Sequence, residues 1–219
     1  MSSCLTPFKL LLFDRIVLLL DIWNAIILGI LYLTFQAFPI IFENVHGFNM
    51  QETGMTFIGI GIGILGALAT QPLWDRYTRL QAQKHGGIAP PETILVVSQV
   101  GGVLAPISLY WLAFTTYEGI PWIVPVLASV LFGVSVYYIF TSTFTYLVVS
   151  YRHIAASALA SNTAMRMTFA AVFPLFAGQM YDRLGTVGAT ALLAGLTTTT
   201  MPLPIGARLR GNSRFAQKP

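Results

Sequence analysis

Apolar runs long enough to cross a lipid bilayer recur six times along this chain, and basic residues fall on alternate connections between them. A hydrocarbon core about 30 Å thick needs roughly 20 apolar residues per helix. On that ruler the spans lie at 16–42, 55–73, 94–114, 122–149, 154–180 and 186–205. One side of the membrane receives Lys9 and Arg15, then Arg76, Arg79 and Lys84, then Arg152, then Arg208, Arg210, Arg214 and Lys218. The other side receives Arg183, and Arg166 falls inside a span. Positively charged connections stay cytosolic, so this asymmetry places both termini in the cytosol and makes the number of spans even.

Composition excludes an ordinary soluble domain, since hydrophobic residues make up 55% of the chain and charged residues 9%. Soluble domains run near a quarter charged. Lysine and arginine outnumber acids by 12 to 8, but they sit in short clusters between apolar runs. That placement suits an anionic lipid leaflet and argues against a nucleic acid. A single cysteine, Cys4, excludes a disulfide framework and a thiolate metal site. The first apolar run is too long for the core of a cleavable signal peptide.

The expected architecture is an all-α membrane protein of six transmembrane helices, arranged as two inverted three-helix repeats. A cytosolic segment at 1–15 leads into a first repeat at 16–115, which includes the longest cytosolic connection at 74–93. A second repeat follows at 116–206, and a basic cytosolic tail occupies 207–219. Three spans exceed the length a perpendicular helix requires, so tilt, or kinks at Pro39, Pro125 and Pro174, is expected.

Two faces are polar where lipid would be expected. On the first helix Asp21, Asn24, Tyr32 and Gln36 fall within roughly 120° of arc. Such a face points into the bundle or a water-filled cavity, and interhelical hydrogen bonding is the competing explanation. On the fourth helix Ser135, Tyr138, Ser142, Thr145 and Tyr146 fall within about 100°. Serine and threonine in membrane helices often bond their own backbone, which weighs against a cavity there. Arg166 lies midway along the fifth span, where an arginine costs roughly 3 kcal/mol. Asn162, one turn earlier, shares its face, and Asp21 is the one acid inside a span. Arg166 reads either as part of a substrate or coupling-ion site or as a clamp between helices.

Catalytic motifs find little support. Gly61, Gly63 and Gly66 match a dinucleotide-binding fingerprint, but no strand precedes them; close helix packing through Gly59 and Gly63 explains them better. His46, His85 and His153 lie in connections or at a helix end, away from any metal or nucleophile arrangement. No enzyme, cofactor or metal site is expected.

Several segments resemble the major facilitator superfamily, and more narrowly the carboxy-terminal half of fungal twelve-helix drug:proton antiporters, a group that includes polyamine exporters. They are Pro7-Phe8-Lys9-Leu10-Leu11, the stretch GILYLTFQAFPI at 29–40, Gly47-Phe48-Asn49, FIGIGIG at 57–63, AASALASNT at 155–163 with Arg166, FPLF at 173–176, and Gly206-Ala207-Arg208-Leu209-Arg210 followed by Ser213 and Phe215-Ala216. On this resemblance the six spans are similar to helices seven to twelve of the family. The connection after the second span then holds a degraded copy of the superfamily's cytosolic signature, G-x3-D-R-x-G-x-R-R. Asp75 and Arg76 match it, Arg79 is displaced, and Gln71 and Thr78 replace the glycines. These residues inherit a gating role from the family pattern. A closer string, Gly178-x3-Asp182-Arg183-x-Gly185, falls on the outer face by charge and reads as coincidence.

The resemblance implies proton-coupled export of small organic solutes such as drugs or polyamines by alternating access. Asn24, Tyr32, Gln36, Tyr138, Asn162 and Arg166 are expected along the substrate pathway, with Asp21 as the proton-coupling candidate. The expected partners are the lipid bilayer, the solute, a proton, and either a missing amino-terminal six-helix half or a second copy. The plasma membrane or vacuolar membrane is the expected location. The alternative is a truncated, non-transporting membrane protein or a half-transporter needing a partner half.

Overall fold

The computed structural model describes residues 14–84, 90–117 and 119–207. The amino-terminal segment with Cys4 and Lys9, the connection around His85, and the basic tail from Arg208 lie outside them. Among the described residues every regular element is helical. They are α1 (Arg15–Asn44), α2 (Met50–Thr56), α3 (Ile58–Ala69), α4 (Gln71–Lys84), α5 (Leu95–Phe114), α6 (Ile123–Ser150) and α7 (Ala155–Thr200), with 3-10 turns at Pro91–Thr93 and Arg152–Ile154. Four stretches among the described residues are long and apolar enough to cross a membrane: Arg15–Glu43, Met50–Lys84, Pro91–Phe114 and Ile123–Ser150.

Helix starts follow local chemistry. Asp14 caps α1, its carboxylate accepting from the Ile16 N–H at 3.0 Å, and the Tyr151 hydroxyl donates to the same carboxylate at 2.7 Å. Asn49 and Glu52 form a reciprocal capping box that begins α2 five residues before the expected span. The chain then stays helical past the expected membrane exit at residue 73. The connection expected at 74–93 therefore begins as the helix α4, which runs to Lys84. Pro39, Pro106 and Pro174 lie inside helices. Pro125 instead falls in the first turn of α6, where a missing N–H costs no helical bond.

Three clusters of buried side chains act as depth markers. At one end Ile16, Val17 and Leu20 meet Leu95, Tyr146, Leu147, Ala158 and Ala207. In the middle Trp23, Ile27 and Ile30 meet Leu109, Phe132, Ile139, Ala177 and Leu193. At the other end Phe38, Ile41 and Phe42 meet Ile60, Leu112, Ala128, Tyr181 and Ala189. Thus α1 and α5 run from the first layer to the third, and α6 returns. The first limb of α7 rises from Ala158 through Ala177 to Tyr181, and the second descends from Ala189 through Leu193 towards Ala207. The reversal falls at Gly185, whose φ of 68° and ψ of 172° only glycine adopts without strain. Arg15 and Arg152 lie towards the first-layer end, Arg183 towards the other, and Arg166 between them.

Between helices in lipid the driving force is close packing rather than water exclusion. The α3–α6 contact shows it plainly. Gly63 abuts the Val130 carbonyl, Gly59 faces Ser129 and Val126, and Gly133 faces the Ile60 carbonyl. The two helices run in the same direction, because Thr70, which follows the last residue of α3, reaches Tyr138 further along α6. Gly61 and Gly66 have open space where a Cβ would sit, so the fingerprint-like run is a packing face with every other glycine turned away.

Candidate functional site

The polar stripe of α1 divides at mid-depth. Its inner half is sealed: Asp21 and Asn24 have no exposed surface. The first limb of α7 covers them. The Asn162 side-chain amide donates to Asp21 Oδ1 at 2.8 Å, and the Ser161 hydroxyl donates to Oδ2 at 3.0 Å. The Asn24 amide in turn donates to Asn162 Oδ1 at 3.4 Å. Four polar side chains from two helices, about 140 residues apart in sequence, thus form one buried network. Asp21 and Asn24, three residues apart on α1, share one face, whereas Ser161 and Asn162, adjacent on α7 and about 100° apart, reach it from either side of the contact. The Asn24 carbonyl oxygen is buried with no hydrogen-bond partner among the described residues, which leaves one acceptor unused at the edge of the network.

The outer half of the stripe is open. Tyr32 is 40% exposed and Gln36 is also exposed, on a helix whose other residues are mostly buried.

Arg166 does not join this network. Its guanidinium lies over two rings of α6, 5.1 Å from the Phe140 centroid and 4.7 Å from that of Phe144. No interhelical clamp from Arg166 to Asp21 forms: Asp21 is engaged by Ser161 and Asn162, and Asn162 points to Asp21 and Asn24. The aromatic pair carries a readable signal, since Phe140 and Phe144 stand one turn apart and share a helix face.

The polar face of α6 splits as well. Ser135 donates to the Phe132 carbonyl at 2.7 Å, Ser142 to the Tyr138 carbonyl at 2.5 Å and Thr145 to the Thr141 carbonyl at 2.8 Å. These hydroxyls satisfy their own helix. Tyr138 is buried; its hydroxyl meets that of Thr70 at 2.6 Å, and Trp74 packs edge-on against its ring. Both sit beside a groove of about 330 Å³ between α4, α5 and α6 at the inner end. Asp75 and Arg79 line this groove, whereas Arg76 is exposed away from it. The structure therefore brings Tyr138 together with two residues of the loop signature and keeps it apart from Asn24 and Asn162. The Asp182-Arg183 string is exposed beside the Gly185 reversal, at the opposite end of the bundle.

One acid escaped the sequence reading. Glu92 is 2% exposed, and neither carboxylate oxygen has a hydrogen-bond partner among the described residues. It falls in a connection by hydropathy, so nothing in its neighbourhood marks it as buried. Among the described residues no group of three or more His, Cys, Asp or Glu is placed to hold a metal ion.

No protein-family model matches the chain, and no solved structure does. Curated relatives do. "Efflux pump atB" of Aspergillus terreus is 41% identical, matching 98% of this chain and 47% of its own length. "Major facilitator superfamily multidrug transporter mdrA" of Aspergillus fumigatus is 41% identical over 97% of this chain and 36% of its own length. "Probable drug/proton antiporter YHK8" of Saccharomyces cerevisiae is 38% identical over 96% of this chain and 42% of its own length. The chain thus spans less than half of each of these proteins. With its apolar helices, it is an integral membrane protein similar over nearly its whole length to part of the fungal major facilitator superfamily efflux pumps, consistent with their carboxy-terminal half.

Proposed function

We propose that this chain forms a six-spanning carboxy-terminal bundle of a transporter that exports small organic solutes, drug-like or polyamine-like by family resemblance, through proton-coupled alternating access. The observation that carries the reading is the polar seam between α1 and α7. Buried hydrogen-bonding groups in lipid either lock helices together or line a passage. Here the seam is locked at Asp21 and open at Tyr32 and Gln36, which supports a passage with a closed inner end. The passage comprises Asn24, Tyr32, Gln36, Asn162 and Arg166, and Tyr138 acts from the separate groove beside Asp75 and Arg79. Asp21 is the carboxylate that exchanges the coupled proton. Asp75, Arg76 and Arg79 on α4 act in gating at the cytosolic end.

The two limbs of α7 count as the fifth and sixth spans, which the depth order on either side of Gly185 supports. Three spans before the outer turn near Tyr117 and three after it fit two inverted repeats. Both ends then face the cytosol, in the plasma membrane or vacuolar membrane. Alternating access needs two bundles rocking about a central site. The relatives' further length supports the version of this reading in which a second half is required for transport.

The test is a chimera in which this chain replaces the matching stretch of the Aspergillus terreus relative. Expressed in a yeast strain lacking its major efflux pumps, it should lower accumulation of a fluorescent drug in a way that a protonophore abolishes. A folded, correctly targeted chimera with no effect on any of a panel of solutes would reject the reading.

A further inference from the structure

Arg166 carries a charge that nothing else in the described bundle answers. It lies on α7 between Ala158 of the first buried layer and Ala177 of the middle one, so its guanidinium sits within the membrane-spanning depth. The rings of Phe140 and Phe144, stacked 6.2 Å apart, hold it on one side. Its Nε is buried and has no hydrogen-bond partner, and no carboxylate among the described residues approaches it closely enough to pair. Asp21, the nearest acid by sequence logic, is held by Ser161 and Asn162.

Cation–π contacts attract a guanidinium without neutralising it. They engage the face of the fork, and because Nε is buried it is the pair of terminal Nη groups that can match a carboxylate in a two-point geometry. On its own helix the exposed residues nearest in angle are Thr163, three positions earlier, and Met167, the next residue, one a hydroxyl and one apolar. A cation fixed at this depth, with donors directed and no protein counter-charge, is completed by an anion that arrives as ligand.

We propose that Arg166 recognises an anionic group on the transported solute, and that the substrate class is small amphipathic organic acids carrying a carboxylate. This deepens the transporter reading above and rests on it. The carboxylate pairs with the Nη groups of Arg166, and the apolar body lies along Phe140, Phe144 and Met167. A polyamine is the solute this site would repel.

The test uses the full chain purified in lipid nanodiscs and three probes of one size: radiolabelled benzoate, benzamide and benzylamine. Benzoate should bind at least tenfold more tightly than benzamide, with benzylamine weakest. Arg166→Gln should bring benzoate down to the benzamide level, Arg166→Lys should keep part of the preference, and Phe144→Leu should weaken benzoate severalfold by releasing the clamp. Saturable binding of all three probes with no preference for benzoate, or a preference that survives Arg166→Gln, overturns the anion assignment while leaving a solute site in place. If Arg166→Gln does not yield folded protein, Arg166→Lys decides, because loss of charge preference with charge retained also contradicts the proposal. No saturable binding of any probe to folded wild-type chain overturns this assignment, whereas the transporter reading on which it rests stands or falls with drug accumulation by the chimera.

Discussion

Substituting Gly63 by alanine adds one methyl group to the tightest helix–helix contact in the bundle. That methyl would fall well inside contact distance of the Val130 carbonyl, with the Val134 backbone nitrogen 3.1 Å away. Backbone cannot swing aside as a side chain can, so α3 and α6 must separate along the whole crossing. Separation also loosens Gly59 from Ser129 and Gly133 from Ile60, because all three glycines serve one contact. Overpacking of this kind costs about 1–3 kcal/mol. Alanine returns roughly 1 kcal/mol of helix propensity, so the net expectation is a loss of up to about 2 kcal/mol. The same helix supplies its own control, since Gly61 and Gly66 face open space. Gly61→Ala and Gly66→Ala should be neutral or slightly stabilising. Thermal unfolding in detergent, followed by size-exclusion chromatography with a fluorescent tag, compares the three. Equal midpoints for Gly63→Ala and Gly61→Ala would refute the packing argument.

Asn162→Ala removes a donor to a buried carboxylate and should destabilise by about 1.5–3 kcal/mol, the range for bonds to charged groups; most of that loss should vanish in an Asp21→Leu background, measured as coupling in a double-mutant cycle. Gly185→Ala forces a side chain into a backbone conformation that costs about 1–3 kcal/mol, so its folded yield should fall, whereas Gly178→Ala, with nothing within 4 Å of its added carbon, should not. Arg166→Ala should reduce transport by the chimera more than it reduces folded yield; equal losses would make Arg166 a purely structural clamp.

Hydropathy alone located three of the long helices, Arg15–Asn44, Leu95–Phe114 and Ile123–Ser150, to within two residues at each end, because the length a bilayer demands leaves little choice. What it missed was decided by short polar signals. Asn49 and Glu52 spell a capping box and start a helix at Met50, but an apolar ruler passes over them. The amphipathic stretch Gln71–Lys84 remains helical after its hydropathy falls, and so was taken for connection. The polar stripe of α1 was visible at 100° per residue. Its partners were not, since the pairing of Asp21 with Ser161 and Asn162 depends on how two distant helices rotate about their axes. For the same reason Arg166 found aromatic rings where an acid was expected. Tyr138 shared a face with Ser135 and Ser142 on paper, yet its length carries the hydroxyl out to Thr70, just past the end of α3.

The account turns on whether the open part of the α1 stripe meets water within the membrane. Single cysteines at Tyr32 and Gln36, in a chain with Cys4 replaced by serine, can be compared with cysteines at Val103 and Ile107, which are also exposed but lie on the apolar surface of α5. A membrane-impermeant thiol reagent should modify the first pair rapidly and leave the second pair unreacted in intact membranes. Protection of Tyr32 and Gln36 from the reagent on both sides of the membrane, with labelling restored only after detergent denaturation, would contradict the central claim.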